Sequence, residues 1–210
     1  MKHLLTILLL SLAVASTAVA QTAKEVLDKT AQRLEQSKGA KARFELTNFE
    51  GDTENGRTEG AIEMDGSRFH LSTPDMQTWF DGTTQWSMFE SSGEVNIQVP
   101  TEEELARMNP YAFIALYRSG FRMKMKKEVA LRGTMTYEVT LTSKDSKSEL
   151  QTIIVNIDRQ TFDPLCIRMK SKTNWVRLSI RDLSLGHSFS PKDFTFPYAK
   201  YPNVEVIDLR

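Results

Sequence analysis

Apolar and polar residues alternate with period two along most of this chain. Ala42, Phe44 and Leu46 alternate with Lys41, Arg43 and Glu45, and Val95, Ile97 and Val99 with Asn96 and Gln98. Neighbouring side chains of a strand point to opposite faces, so each such segment presents one greasy face and one wet face. Two turn signals tie strands into hairpins. Asp65-Gly66 follows Ile62 and Met64 and precedes Phe69 and Leu71, while Asp81-Gly82 joins MQTWF to TQWSMFE. Further strands are read in FRMKMKKEVAL, TYEVTLTS, LQTIIVNID, FDPLCIRMKSK and NWVRLSIRDL. Roughly nine to eleven strands with short connections predict antiparallel, up-and-down pairing.

Two segments follow a helical period instead. In residues 22–38, Thr22 and Glu25 form a capping box, Ala23, Val26, Leu27, Thr30 and Leu34 line one face, and Gly39 supplies a stop. In residues 101–120, Thr101 and Glu104 form a second capping box, Pro110 sits at the start of a further helical segment, and Gly120 follows as a stop. An ordinary surface helix carries one apolar stripe about 100° wide. Here Tyr111, Phe113, Ile114, Leu116 and Tyr117 spread round most of the wheel. A sheet with one greasy side and few helices to plate it must close, stack or curl round something. The expected fold is therefore mainly β: a single antiparallel sheet with an N-terminal helix on its greasy side and a second helical segment that meets sheet or contents on several sides.

Composition adds the setting. MKHLLTILLLSLAVASTAVA, residues 1–20, has Lys2 and His3, an apolar run from Leu4, and Ala18-Val19-Ala20, which reads as a secretory signal with a small-x-small cleavage site. The run is short for a membrane span of about 20 apolar residues. No Cys lies near the cleavage point, so the mature chain, residues 21–210, is expected to be one exported, unlipidated domain and a monomer. Lys plus Arg and Asp plus Glu each number 27, a balance that gives no reason to expect nucleic acid as a partner. The single Cys166, between Leu165 and Ile167, reads as a buried core thiol.

Catalytic signals are weak. His70 and His187 lack metal-ligand spacing, and GHSFS at 186–190 has Ser190 where a nucleophile elbow needs Gly. Phosphate-binding glycine loops are absent, and no cofactor is expected. The basic run RMKMKKE, residues 122–128, reads as the solvated outer face of a strand whose other face holds Phe121, Met123 and Met125. Methionine says more. Met64, Met76, Met88, Met108, Met123, Met125, Met135 and Met169 are spread over the strands and the greasy helix. Met is flexible and polarizable, suited to surfaces that accept variable apolar partners, although any single one is more often core filler. Phe69, Phe80, Trp86, Phe89, Phe113 and Tyr117 carry the same two readings. The expected cavity lining is Phe69, Leu71, Met76, Phe80, Trp86, Met88, Met123 and Met125, with Met108, Tyr111, Phe113, Ile114, Leu116 and Tyr117 on the greasy helical segment that meets it.

The helix after the export signal, GAIEMDGSRFHLSTPD, WFDGTTQWSMF, the proline-started NPYAFIALY and the tail PKDFTFPYAKYPNVEV, in that order, resemble the LolA-type periplasmic lipoprotein carriers. The resemblance implies an incompletely closed β-barrel capped by helices, whose cavity takes the acyl chains of lipoproteins. It implies loading by an inner-membrane ABC-type releasing complex and delivery to an outer-membrane acceptor. Residues 101–120 resemble the lid. One feature departs from the family pattern, an Arg beside a Pro in the turn before the RFHLS strand. Here the turn is Asp65-Gly66-Ser67, and the lid-holding role is not carried over to Arg68. Physical need points the same way. Each acyl CH₂ in water costs about 0.8 kcal/mol, so a fatty chain carries on the order of 10 kcal/mol of unfavourable exposure. An envelope lipid sensor built on the same half-barrel is the alternative, and a secreted hydrolase ranks below it for want of a nucleophile and base.

Overall fold

A computed structural model describes residues 21–101, 104–105, 117–118 and 120–210. Helix α1 (Ala23–Gln36) starts at the expected capping box, in which Glu25 N–H donates to Thr22 Oγ1 at 3.2 Å and Thr22 N–H to Glu25 Oε2 at 2.8 Å. It buries Ala23, Val26, Leu27, Thr30 and Ala31. The helix stops at extended Ser37, before Gly39. Gly39 has a different duty. A Cβ there would meet His187 O at 2.6 Å and the Phe189 ring at 2.7 Å, so the glycine admits a close chain crossing.

The strands are β1 (Ala40–Glu50), β2 (Thr53–Asp65), β3 (Arg68–Ser72), β4 (Met76–Phe80), β5 (Gln85–Phe89) and β6 (Glu94–Gln98). After the connection 99–120 come β7 (Phe121–Met125), β8 (Val129–Leu131), β9 (Thr134–Ser143), β10 (Thr152–Asp158), β11 (Pro164–Lys170), β12 (Asn174–Leu185) and β13 (Glu205–Asp208). They form one open, curved sheet in the order β13-β6-β5-β4-β3-β2-β1-β12-β11-β10-β9-β7, with β8 beside β9. This is an incomplete barrel, as expected, but it has thirteen strands among the described residues. The excess over the sequence reading has physical reasons. The first part of β2, TENGRTEG, is polar on both faces and is held by backbone pairing with β1, so it carries no alternation signal. The run FRMKMKKEVAL divides into β7 and β8, and β13 pairs with β6 in parallel, not antiparallel.

Sequential hairpins build two wings, β1 to β6 and β9 to β12, and the β1–β12 pairing joins them at the centre of the sheet. The core sits between α1 and one face of the sheet, here called the inner face. At its centre Phe44 lies opposite Gly60, where an added Cβ would come within 2.4 Å of Phe44 Cζ and 2.6 Å of Ser72 O.

Candidate functional site

The strand register draws a band of apolar side chains across the inner face. From one wing to the centre it runs through Phe80 and Phe69, Leu71 and Ile62, and Ala42. Phe44 pairs with Ile180 and Leu46 with Leu178, and the band continues through Ile167, Val155 and Val139 to Met125. A parallel row runs from Val176 through Met169, Ile153 and Leu141 to Met123. Phe69, Phe80, Val139, Leu141, Ile153 and Val155 are buried, whereas Leu46, Met123, Met125 and Met169 pack on them half-buried. On β4 and β5 the face turns polar, with Gln85 donating to Ser87 Oγ at 2.8 Å and Ser87 3.3 Å from Thr78.

Phe69, Leu71, Met76, Phe80, Met123 and Met125 therefore share the inner face. Met76 stands at its margin, half-buried and opposite Phe89. Trp86 and Met88 do not join them. Their cross-strand partners are Trp79 and Gln77, so they lie on the outer face. There Trp79, Met88, Val95 and Phe196 form a second core cluster, with Trp86, Tyr201 and Val204 packed against it. The segment that covers them runs through single 3-10 turns at Pro191–Phe194 and Tyr198–Lys200 and ends as β13. His70 stacks on Trp79 at 4.8 Å, and burial pushes its imidazole below the usual range. The missed signal was present in MQTWF and QWSMF, which are apolar at positions of both parities, as a strand covered on both faces must be.

The two sheet edges, β7 and β13 with β6, are bridged in sequence by residues 99–120. Met108, Tyr111, Phe113, Ile114 and Leu116 of the expected lid lie outside the described residues. The ends of the connection are described. Thr101 and Glu104 make the expected capping box, with Glu104 N–H donating to Thr101 Oγ1 at 3.3 Å, and Leu105 packs on the core. Tyr117 is buried, and its hydroxyl donates to Asp28 Oδ1 of α1 at 2.8 Å. Burial, then the bond to Asp28, raises the Tyr117 phenol. Asp28 is held below the usual carboxylate range, first by a hydrogen bond from Lys24. Arg118 reaches Glu35 of the same helix at 2.8 Å. Arg68 is engaged elsewhere, donating to Asp65 Oδ2 at 2.5 Å and lying over the Phe194 ring.

Cys166 is buried on the outer face, opposite Ser179 and Asn156, and burial pushes its thiol up. Among the described residues no three His, Cys, Asp or Glu side chains converge as metal ligands. No helix among them is long and apolar enough to cross a membrane.

A family model described as "Outer membrane lipoprotein carrier protein LolA" matches residues 13–173. No curated protein matches the sequence. Among solved structures, an uncharacterized conserved protein from Thermus thermophilus is similar at TM-score 0.61 and 11% identity, over 90% of this chain and 99% of that one. A DUF1329 family protein from Desulfovibrio piger is similar at TM-score 0.50 and 9% identity, over 86% and 99%. A LolA superfamily protein from Nitrosomonas europaea is superposed at TM-score 0.45 and 13% identity, over 85% and 100%. At such identities the first two speak for the fold alone.

Proposed function

Because the chain belongs to the LolA family of outer membrane lipoprotein carrier proteins, we propose that it shields the acyl chains of lipoproteins against its inner face. In this reading it ferries them through the periplasm from the inner to the outer membrane. An inner-membrane ABC-type releasing complex loads it, and an acceptor at the outer membrane unloads it. The work is done by burial alone, with no reaction step and no cofactor. The observation that carries the proposal is the apolar band from Phe80 to Met123 and Met125, buried at its centre and half-buried towards β7. Such a margin matches what a carrier needs, since it must compete with a membrane for each CH₂ and still release the chain. Half-buried methionines supply contact without a fixed shape.

Residues 1–20 direct export in this reading, and cleavage after Ala20 leaves a mature chain that begins at Gln21. Intact mass of the protein from its own host is expected to show that chain without added acyl mass. Organic-solvent extraction of the native protein, followed by mass spectrometry of the extract, tests the cargo. Diacyl or triacyl chains attached to cysteine support transport of lipoproteins. An extract of free phospholipid alone would point instead to the lipid-sensing alternative.

A further inference from the structure

The outer face of β7 and the residues just after it carry four cations, Arg122, Lys124, Lys126 and Lys127, all exposed. Elsewhere on the molecule Arg and Lys side chains are commonly paired, as Arg33 is with Asp163, Lys41 with Glu63, Arg159 with Glu128 and Arg168 with Glu138. None of the four has an ion pair or side-chain hydrogen bond among the described residues. Two of them have neutral cross-strand neighbours, Arg122 lying opposite Thr142 and Lys124 opposite Thr140. Lys126 N–H donates to the Glu138 backbone carbonyl, but the Glu138 carboxylate already accepts from Arg168 at 2.7 Å. The chain as a whole is electrically balanced, so this is a local excess of charge. It sits at one end of the sheet order, on the strand whose other face presents Met123 and Met125.

We propose that this cationic edge docks the protein on an anionic phospholipid surface. A membrane suits it better than an acidic protein does. Protein interfaces are depleted in Lys and are organised round buried aromatic or Arg anchors. On the same face of the neighbouring strands stand Thr140, Thr142, Thr152, Ile154 and the paired Glu138, none of them aromatic. Solvated, unpaired cations on an exposed strand face instead provide diffuse attraction to a charged plane, where each Lys or Arg tightens binding roughly fivefold. With the charges on one face of β7 and the methionines on the other, docking brings the apolar margin beside the headgroups. The proposal stands on the charge pattern and does not require that acyl chains be carried.

Vesicle co-sedimentation tests it, using the chain from Gln21, which contains every described element and lacks the apolar run 4–20. The protein is expected to pellet with phosphatidylglycerol vesicles and to stay in solution with phosphatidylcholine vesicles. Binding should disappear between about 0.01 M and 1 M salt, as the Debye length falls from about 30 Å to about 3 Å. Replacing Arg122, Lys124, Lys126 and Lys127 together by Gln should weaken it tenfold or more. Replacing Lys38, Lys147, Lys192 and Lys200 by Gln, an equal change in net charge, should leave it nearly unchanged. Equal loss in both variants would overturn the proposal, as would no preference for the anionic vesicles. So would a protein that ignores vesicles but is retained by polyglutamate. Capture of a fluorescent fatty-acyl probe, measured on the same samples, reports separately on the proposed carrier function.

Discussion

Strands β5 and β7 look alike in sequence, and the molecule uses them in opposite senses. Each offers an alternating apolar pair, Trp86 with Met88 and Met123 with Met125. On β7 the pair faces α1 and the core, while Arg122 and Lys124 face water. On β5 the pair faces away from the core, under Phe196 and Tyr201 of the C-terminal segment. Alternation shows that one face of a strand is buried, but the cover can come from either side. Register with the neighbouring strands decides which, and register is a long-range property.

The largest expected effect separates the two faces. Trp79→Ala removes the centre of the outer cluster, where Trp79 is 4% exposed, and should cost about 3–5 kcal/mol of stability. Affinity per folded molecule for a fatty-acyl probe should not change, as judged by urea denaturation and probe titration on one preparation. A weakened affinity in the folded fraction would place Trp79 in the binding surface and erase the contrast.

Next come the centre and margin of the inner face. Gly60→Ala forces a Cβ against Phe44 and Ser72 O, and overpacking of this kind costs about 1–3 kcal/mol. A melt as stable as the wild type would mean that the centre is slack. At the margin, Met123→Glu should weaken probe capture about tenfold or more, because an unpaired carboxylate resists an apolar setting. Lys124→Glu, one position on, should not. Equal loss in the two folded variants would show the register of β7 to be wrong.

The smallest effect lies where the connection 99–120 meets α1. Tyr117→Phe deletes one hydrogen bond and should cost about 1 kcal/mol. Its acceptor, Asp28, has a carboxyl held below the usual range, chiefly by Lys24 and also by Tyr117. Stability from a depressed carboxyl is present above the ordinary value near 4 and is lost as pH falls through the folded-state value. The gap between wild type and Tyr117→Phe should therefore narrow in acid. A gap that widens in acid would contradict the assignment of Asp28 as the charged acceptor.

Local signals made most of the fold legible. The capping box at Thr22, the Asp65-Gly66 and Asp81-Gly82 turns and the period-two runs all act within a few residues, and the structure realises them, except that FRMKMKKEVAL divides and Val99 falls beyond β6, exposed. What stayed hidden depends on distant partners. The polar start of β2 is a strand because β1 lies beside it, and β13 is a strand because β6 does. Phe69, Leu71, Met76, Phe80, Met123 and Met125, all expected to line a cavity, share the inner face. Trp86 and Met88 do not, because a C-terminal segment far along the chain supplies their cover from the other side.

The inner face is the surface expected to meet acyl chains, and everything proposed for the carrier depends on it. Photolabelling with a fatty-acyl probe that carries a diazirine near its chain end, followed by peptide mapping, tests this directly. The expected labels fall on the strands that present Met123, Met125 and Met169, and on Leu71 or Met76. Labelling concentrated on Trp79, Trp86 and Met88 would contradict it and move the binding surface to the other side of the sheet.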